Sequence, residues 1–525
     1  MRDEKLLKSL PQRAYSATQV LKNEARIANK MSIAMTKLME MAGAAVFDYL
    51  QLTYPNTDKL LVLCGKGNNG GDGFVIARLA QAHGMAVTVY LCCQPTELKG
   101  DAKIAFEHLL ASQVTLIYQN ERTLSAGFLS DEQFHLVVDA VFGIGFKGAL
   151  PKEIAQLVEV VNDSYLPVVS VDVPSGLNAS TGYVENTAIT AKATVTFIAA
   201  KQGLFTGQAA NYCGHLYFAS LTLAESFEHT ISSNVYIQSC CSQGRAKLPS
   251  NPKRQPASHK GNVGQLLTIG GGQGMPGAIR LASEAALRAG ASLVTVCCHG
   301  DNVSMVANGR PELMLLAADQ QALTDSHFYQ KAKWLLCGPG LGQSDWAQGL
   351  FDCVLSSCKP CVLDADALSL LAKQPSYRQD WVLTPHPGEA AKLLACSIAD
   401  VEQNRFAAVQ QITEKYGGIC VLKGAGTLIG DGHDVWINTS GNSGMASGGM
   451  GDVLSGIIAA LAMQMSSTID AVRLAVYIHG AAADRLAMQS GKIGMLASDL
   501  LPQIQHLLNQ KSTKIYDHGI EYNKR

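Results

Sequence analysis

Two successive α/β domains are what this sequence predicts, on three observations. Apolar strand-like runs end in glycine-rich turns and pass into helical periodicity, several times over. That alternation fails between about residues 222 and 262 and then restarts. The composition agrees: of 525 residues, 16% are charged, 47% hydrophobic and 49 glycine, as in compact domains built on buried sheets and unlike a disordered chain. The 42 Lys and Arg against 43 Asp and Glu leave a net charge of -1, which argues against non-specific nucleic-acid binding and a polybasic membrane surface.

The elements follow in order. The charged start MRDEKLLKSLPQR lacks the apolar core of a signal peptide or anchor. From residue 31, Leu38, Met41, Ala42, Ala45 and Val46 fall at helical spacing, with Ser32 as candidate cap. KLLVLCG (59–65), a glycine-rich turn, the helical FVIARLAQAHG and the strand AVTVYLCC make a βαβ unit. HLVVDAVFG and LPVVSVDVPSG are further strands ending in Asp and Gly, and ATVTFIAA is another. RAKLPSNPKRQPASHK, with five Lys or Arg, three Pro and no acid, reads as a connector. Beyond it come QLLTIGGG, the helix AIRLASEAALRAG, and the strands SLVTVCC, WLLCGPG, CVLDAD, WVLTPHPGE and ICVLKGAG. No apolar run reaches the roughly 18 residues of a membrane span. The scattered cysteines, mostly in apolar runs, suit reduced thiols of a cytosolic protein. Cys358 and Cys361 form a lone CxxC with no second pair to complete a zinc set.

The first site candidate is Gly65-Lys-Gly-Asn-Asn-Gly-Gly-Asp-Gly73, between a strand and a helix. Glycines there let the backbone approach a ligand, and free N–H groups at a helix start attract an anion. No Lys-Ser/Thr pair follows, so it is not a Walker A loop. No ribose-binding acid follows in the usual register, so a simple NAD dehydrogenase is disfavoured. Asp139 and Asp172-Val-Pro-Ser-Gly176 lie at strand C-termini, where open α/β sheets bind ligands. Oxygen ligands from Asn69, Asp139 and Ser175 would suit a hard cation.

Together LMEMAG (38–43), GKGNNGGDG, VDAVFGIG and VDVPSGLN resemble the YjeF-type NAD(P)H-hydrate epimerase domain, a Rossmann-like three-layer fold placed at residues 10–225. The resemblance implies substrate binding by Asn68, Asn69, Gly70, Gly71 and Asp72, and by Gly143, Ile144, Gly145, Phe146, Lys147, Gly148 and Ala149. It implies potassium on Asn69, Asp139 and Ser175, and substrate contact by Asp172. Asp172 is the candidate proton-transfer group, because epimerising nicotinamide C6 needs a positioned acid or base. Asn178 stands where the family usually shows Asp.

In the second half, Gly444-Met-Ala-Ser-Gly-Gly-Met-Gly-Asp452 opens a helix. Its glycines offer an oxyanion-type hole, and Asp452 can take a proton from a hydroxyl. Lys423 to Thr427 is a candidate phosphate cradle, and His386 with Glu389 reads as substrate-shaping. The ordered motifs HKGNVG, GGGQGMPGA, GPGLG, LDADAL, TPHPGE, LKGAGT and GNSGMASGGMGDVLSG resemble the ADP/ATP-dependent NAD(P)H-hydrate dehydratase domain, a ribokinase-like fold. That domain is placed at 240–510, after a linker at 226–258 that overlaps it, with a polar tail at 511–525. The resemblance implies Ala278, Gly340, Gly342, His386 and Asp452 around the hydrate. It implies Lys423, Gly424, Ala425, Gly426, Thr427 and Gly451 on the nucleotide, which would be ADP with magnesium, giving AMP. Together the halves imply a bifunctional repair enzyme acting on NADHX and NADPHX, cytoplasmic and homo-oligomeric, with neither nucleic acid nor membrane as partner. The rival is a ribokinase-like kinase of a small vitamin-type alcohol, with the first domain as a binding or scaffold module.

Overall fold

The computed structural model describes residues 11–238 and 247–510. Two compact units divide the chain between Val235 and Tyr236.

The main sheet of the first unit has seven strands: β1 (Lys59–Cys64), β2 (Ala86–Leu91), β3 (Thr115–Tyr118), β4 (Leu136–Ala140), β5 (Val168–Val171), β6 (Ala193–Phe197) and β7 (His215–Ala219). All are parallel, in the order β3-β2-β1-β4-β5-β6-β7. Strand side chains alternate between faces, so β1 feeds two cores. Leu60, Val62 and Cys64 pack with residues of α1 (Ala17–Lys30), α2 (Met35–Thr53), α3 (Asn68–Ala82) and α4 (Gly100–Leu110). Leu61 and Leu63 pack with residues of α5 (Ala126–Glu132) and α6 (Lys152–Asp163) on the other face. This is the three-layer arrangement expected of continuous apolar parallel strands. Strand order reverses between β1 and β4, and the crevice beyond their C-termini is where such sheets hold ligands.

The second unit carries β8 (Gln265–Ile269), β9 (Leu293–Cys298), β10 (Leu313–Ala317), β11 (Ala332–Cys337), β12 (Cys361–Leu363), β13 (Trp381–Leu383), β14 (Ile419–Leu422), β15 (Leu428–Gly430) and β16 (Val435–Asn438). They run in the order β10-β9-β8-β11-β12-β13-β14-β15-β16. The first seven are parallel, and β14, β15 and β16 pair antiparallel. Its switch point lies between β8 and β11, whose glycine turns are laced together by Gly271 N to Pro339 O at 3.0 Å and Gly272 N to Gly340 O at 2.7 Å. The helices α7 (Pro276–Arg288) and α9 (Met450–Gln464) cross closely at Gly456, where a Cβ would lie 2.0 Å from Ala282 O. Between them comes α8 (Pro387–Leu394), and α10 (Thr468–Ser490) follows α9. Among the described residues no helix is long and apolar enough to cross a membrane.

Several expectations change. Ser32 caps nothing: it has φ +57°, and α2 begins at Met35 after Ala34. The asparagine- and glycine-rich segment is not a loop throughout, since α3 already starts at Asn68. Its glycines serve helix–sheet approach: a Cβ on Gly70 would lie 1.9 Å from Gly65 O, and one on Gly73 2.7 Å from Cys64 Sγ. The stretch expected as linker, 226–258, holds part of a helix Ala224–Thr230 with Phe227 buried, and a strand Val235–Gln238. Such short elements show no readable periodicity. Residues 239–246 and the expected tail 511–525 lie outside the described residues. The strands β3, β7 and β10 escaped the sequence reading because they are short and partly exposed.

Candidate functional site

The first unit encloses a cavity of about 540 Å³ at its switch point, within the range of small-molecule sites. Of the residues expected at the substrate, Asn68, Asn69, Asp72, Gly143, Ile144, Gly145, Phe146, Lys147 and Asp172 line it. Gly70, Gly71, Gly148 and Ala149 do not. The N-terminus of α3 faces this space with Gly67 as N-cap and no side-chain cap, leaving early N–H groups for an anion. Lys66 and Lys147 add cations to the wall.

Asp139 and Ser175 are fully buried and do not line the cavity. Asp139 Oδ1 accepts from Ser175 Oγ at 2.5 Å and Val141 N at 3.3 Å; Oδ2 accepts from Ser170 Oγ and Ser175 N, both at 2.8 Å. Burial pushes the Asp139 carboxyl up, against these hydrogen bonds. Asn69, Asp139 and Ser175 meet the same loop: Phe142 N donates to Ser175 Oγ at 2.8 Å, and a Cβ on Gly143 would lie 3.2 Å from Asn69 Oδ1. Asn69 Nδ2 is buried without a hydrogen-bond partner. Oxygens are the ligand type a hard cation takes, and Asn69 Oδ1, Asp139 and Ser175 supply them; Asn69 Nδ2 is an N–H donor and would meet an acceptor instead. Among the described residues no three His, Cys, Asp or Glu side chains are grouped to hold a metal, and Cys361 of the CxxC is buried while Cys358 is exposed.

Asp172 sits in the left-handed region at φ +64°, a strained conformation that active sites commonly hold. Its Oδ1 accepts from Lys201 Nζ at 2.5 Å, Thr196 Oγ1 at 3.0 Å and Phe197 N at 3.2 Å. Lys201 is 1% exposed and also donates to Phe197 O at 2.8 Å and Thr196 Oγ1 at 3.1 Å. Sequence reasoning missed Lys201, since a lysine just after a strand carries no motif by itself. Burial also pushes the Asp72 carboxyl well up, with Asp172 and Glu24 adding to it and Lys201 opposing.

In the second unit Glu389, Gly451 and Asp452 gather about one lysine, with Asp364. Lys423 Nζ lies 2.7 Å from Asp364 Oδ1 and 3.6 Å from Glu389 Oε2. Burial works against its charge, but Asp364 and Glu389 outweigh burial and hold the proton on. A Cβ on Gly451 would lie 3.1 Å from Lys423 Nζ, so glycine keeps this approach open. Asp452, in the first turn of α9, is pushed up to about 7 by burial, then by Asp364 and Glu389, against Lys423. Glu389 is likewise raised to about 7, chiefly by burial. His386 is the N-cap of α8: its Nδ1 accepts from Gly388 N at 2.9 Å, and Glu389 Oε2 accepts from His386 N at 2.7 Å. The HxxE pair is thus a capping box that aims Glu389 at Lys423.

Gly340 and Gly342 have φ +59° and +79°. A Cβ on Gly340 would meet Ala278 Cβ at 3.3 Å, and Gly342 N donates to Asp366 Oδ2 at 2.8 Å. Lys423 to Thr427 forms a turn braced from beneath by Arg405, 1% exposed, whose Nη2 donates to Leu422 O at 3.2 Å and Lys423 O at 3.0 Å. The sequence did not single out Asp364 as a partner of Lys423, nor Arg405. Glycine turns at a helix start, one cation and a carboxyl near neutrality suit transfer of a phosphoryl group to a hydroxyl.

Residues 266–506 match the NAD(P)H-hydrate dehydratase family, and residues 35–203 match the YjeF-related protein N-terminus. The chain is 44% identical over 498 residues to the bifunctional NAD(P)H-hydrate repair enzyme Nnr of Coxiella burnetii, covering 94% of this chain and 99% of the relative. It is 42% identical to that of Escherichia coli, covering 96% of each. Among solved structures it resembles the ADP/ATP-dependent NAD(P)H-hydrate dehydratase of Bacillus subtilis co-crystallised with ATP and Mg2+. That match has 30% identity and TM-score 0.46, and covers 50% of this chain and 95% of the other.

Proposed function

The chain belongs to the family of bifunctional NAD(P)H-hydrate repair enzymes, and we propose how its two sites divide that work. Repair comprises epimerisation of the hydrates and their ADP/ATP-dependent dehydration. The first unit interconverts the R and S forms at nicotinamide C6, with Asp172 as the proton-transfer group. The second dehydrates the S form of NADHX or NADPHX at the expense of ADP, giving AMP and phosphate.

One observation carries the second assignment: Asp452 stands at an uncapped glycine helix start, raised to about 7, within the field of Lys423, Asp364 and Glu389. As the carboxylate it takes the proton of the hydrate's C6 hydroxyl. The freed oxygen attacks the terminal phosphorus of ADP, the bridging P–O bond breaks, and AMP leaves. The C5 proton then passes to water, its C–H pair forming the C5=C6 double bond as phosphate departs with the C6–O pair. Lys423 and the turn to Thr427 hold the nucleotide's phosphates, and Arg405 fixes that turn. Magnesium carried with the nucleotide neutralises phosphate oxygens when bound. In the first unit, Asn69, Asp139 and Ser175 would hold potassium, which supplies positive field beside the loop from Gly143 to Ala149. Free thiols at the described cysteines support a cytosolic location, and the family resemblance supports a homo-oligomer.

The test is absorbance at 340 nm on a mixture of R and S NADH hydrates with ADP and magnesium. Full recovery, beyond the S fraction and spontaneous epimerisation, is expected. Recovery halting at the S fraction would refute the role of the first unit, and none with ADP or ATP would refute the second. Asp452→Ala should abolish dehydration and spare epimerisation.

A further inference from the structure

The cavity of the first unit holds another carboxyl that no motif assigns. Glu24 stands on α1 four residues after Val20 and three before Ile27, on the one stripe of that helix that faces the core. Val20 and Ile27 are each 1% exposed. Glu24 instead lines the cavity, as do its apolar neighbours Val20, Leu21, Met35 and Leu38. It has no hydrogen-bond or ion-pair partner among the described residues. An acid left unpaired against an apolar wall is costly in its charged form, so burial raises its proton affinity. Lys201 opposes that rise and Asp172 adds to it, which places all three in one field. Asp72 faces the same space. Two carboxyls of one cavity in such different surroundings, one held on a cation and one unpaired, suit the division of work between an acid and a base. Asp172 is in an ion pair with Lys201, whereas Glu24 has no such partner.

We propose that Glu24 is the second proton-transfer group of the epimerase, acting on the ring nitrogen while Asp172 acts on the hydroxyl. The proposal rests on the assignment of Asp172 above. The hydrated carbon bears both a hydroxyl and the ring nitrogen, so it is a hemiaminal. Asp172 takes the hydroxyl proton, and the O–H pair becomes the second bond of C6=O. The C6–N1 bond breaks with its pair going to N1, and Glu24 gives N1 its proton. The open aldehyde turns about C5–C6 and presents its other face. The N1 pair then attacks C6, Glu24 recovers the N–H proton, and Asp172 returns its proton to the oxygen. Both carboxyls end as they began, and no oxidant, reductant or second substrate is consumed.

The experiment follows formation of the S hydrate from pure R-NADHX by chromatography, with the full chain and no ADP, above the spontaneous rate. Glu24→Gln should lower kcat about 100-fold or more, with KM within about threefold by the same reasoning, and Glu24→Asp should restore part of it. Dehydration of the S hydrate should be unchanged in both. Glu24→Gln at kcat close to the parent, beside an inactive Asp172→Asn, would overturn the role of Glu24 alone. A loss confined to KM would do the same. An active Asp172→Asn would instead overturn the assignment on which the proposal rests. A Glu24→Gln loss with no gain from Glu24→Asp, and with an altered circular dichroism spectrum, would also count against it.

Discussion

Replacing Asp452 by Asn should stabilise the second unit while stopping its chemistry. The Asp452 carboxyl is held at about 7, against an ordinary 3.8, because burial and the charges of Asp364 and Glu389 outweigh Lys423. Each tenfold change in proton affinity is worth about 1.4 kcal/mol, so ionised Asp452 costs the folded state roughly 4 kcal/mol. Its partial solvent exposure trims that to about 2–4 kcal/mol. Between about pH 4 and about pH 7 the native state keeps a proton that the unfolded chain has released, so stability falls as pH rises through that window. Asn removes the penalty: the gain should be full at pH 8 and less than half as large at pH 5. All four tryptophans, Trp334, Trp346, Trp381 and Trp436, lie in the second unit, so urea unfolding followed by tryptophan fluorescence reads that unit. Dehydration should meanwhile drop about 100-fold or more. No gain at pH 8, or the same gain at both pH values, would refute the reasoning.

Lys201→Met strips a buried ion pair of its cation, leaving Asp172 with only Thr196 Oγ1 and Phe197 N as donors among the described residues and taking the lysine donor from Phe197 O and Thr196 Oγ1; about 3–5 kcal/mol should be lost from the first unit. Far-UV circular dichroism should show that transition moving while the tryptophan-reported one stays. Gly338→Ala meets both φ +127° and a Cβ 1.7 Å from Asp364 O. It should push Asp364 off Lys423, lowering the unfolding free energy of the second unit by about 1–3 kcal/mol or more and raising the KM for nucleotide. Exchanging potassium for lithium should slow epimerisation and leave dehydration of the S hydrate unchanged, measured by S-hydrate formation and by absorbance at 340 nm.

Most of the parallel strands were legible as short apolar runs, many of them closed by glycine, and the strand-end residues Asp139, Asp172 and Lys423 were legible with them; β3, β7 and β10, short and partly exposed, were not. The early glycines of α3 were misread as loop because the sequence shows their flexibility but not the sheet they press against. Glu24 was hidden for the opposite reason: a single acid on an amphipathic helix looks like an exposed one until the helix is seated on a cavity. His386 and Glu389 were seen as a pair, yet the structure adds that they form a capping box whose acid points at Lys423.

What the sequence determined by itself was local: the period of the strands, the glycine turns at their ends, and the ordered motifs that mark two domains of one family. Tertiary structure alone decided which distant groups meet. It set Lys201 on Asp172, Asp364 on Lys423 and Arg405 beneath the nucleotide turn. Strand order, which no local pattern encodes, fixes those meetings, and burial at the crevice then gives their charges a strength that water would screen.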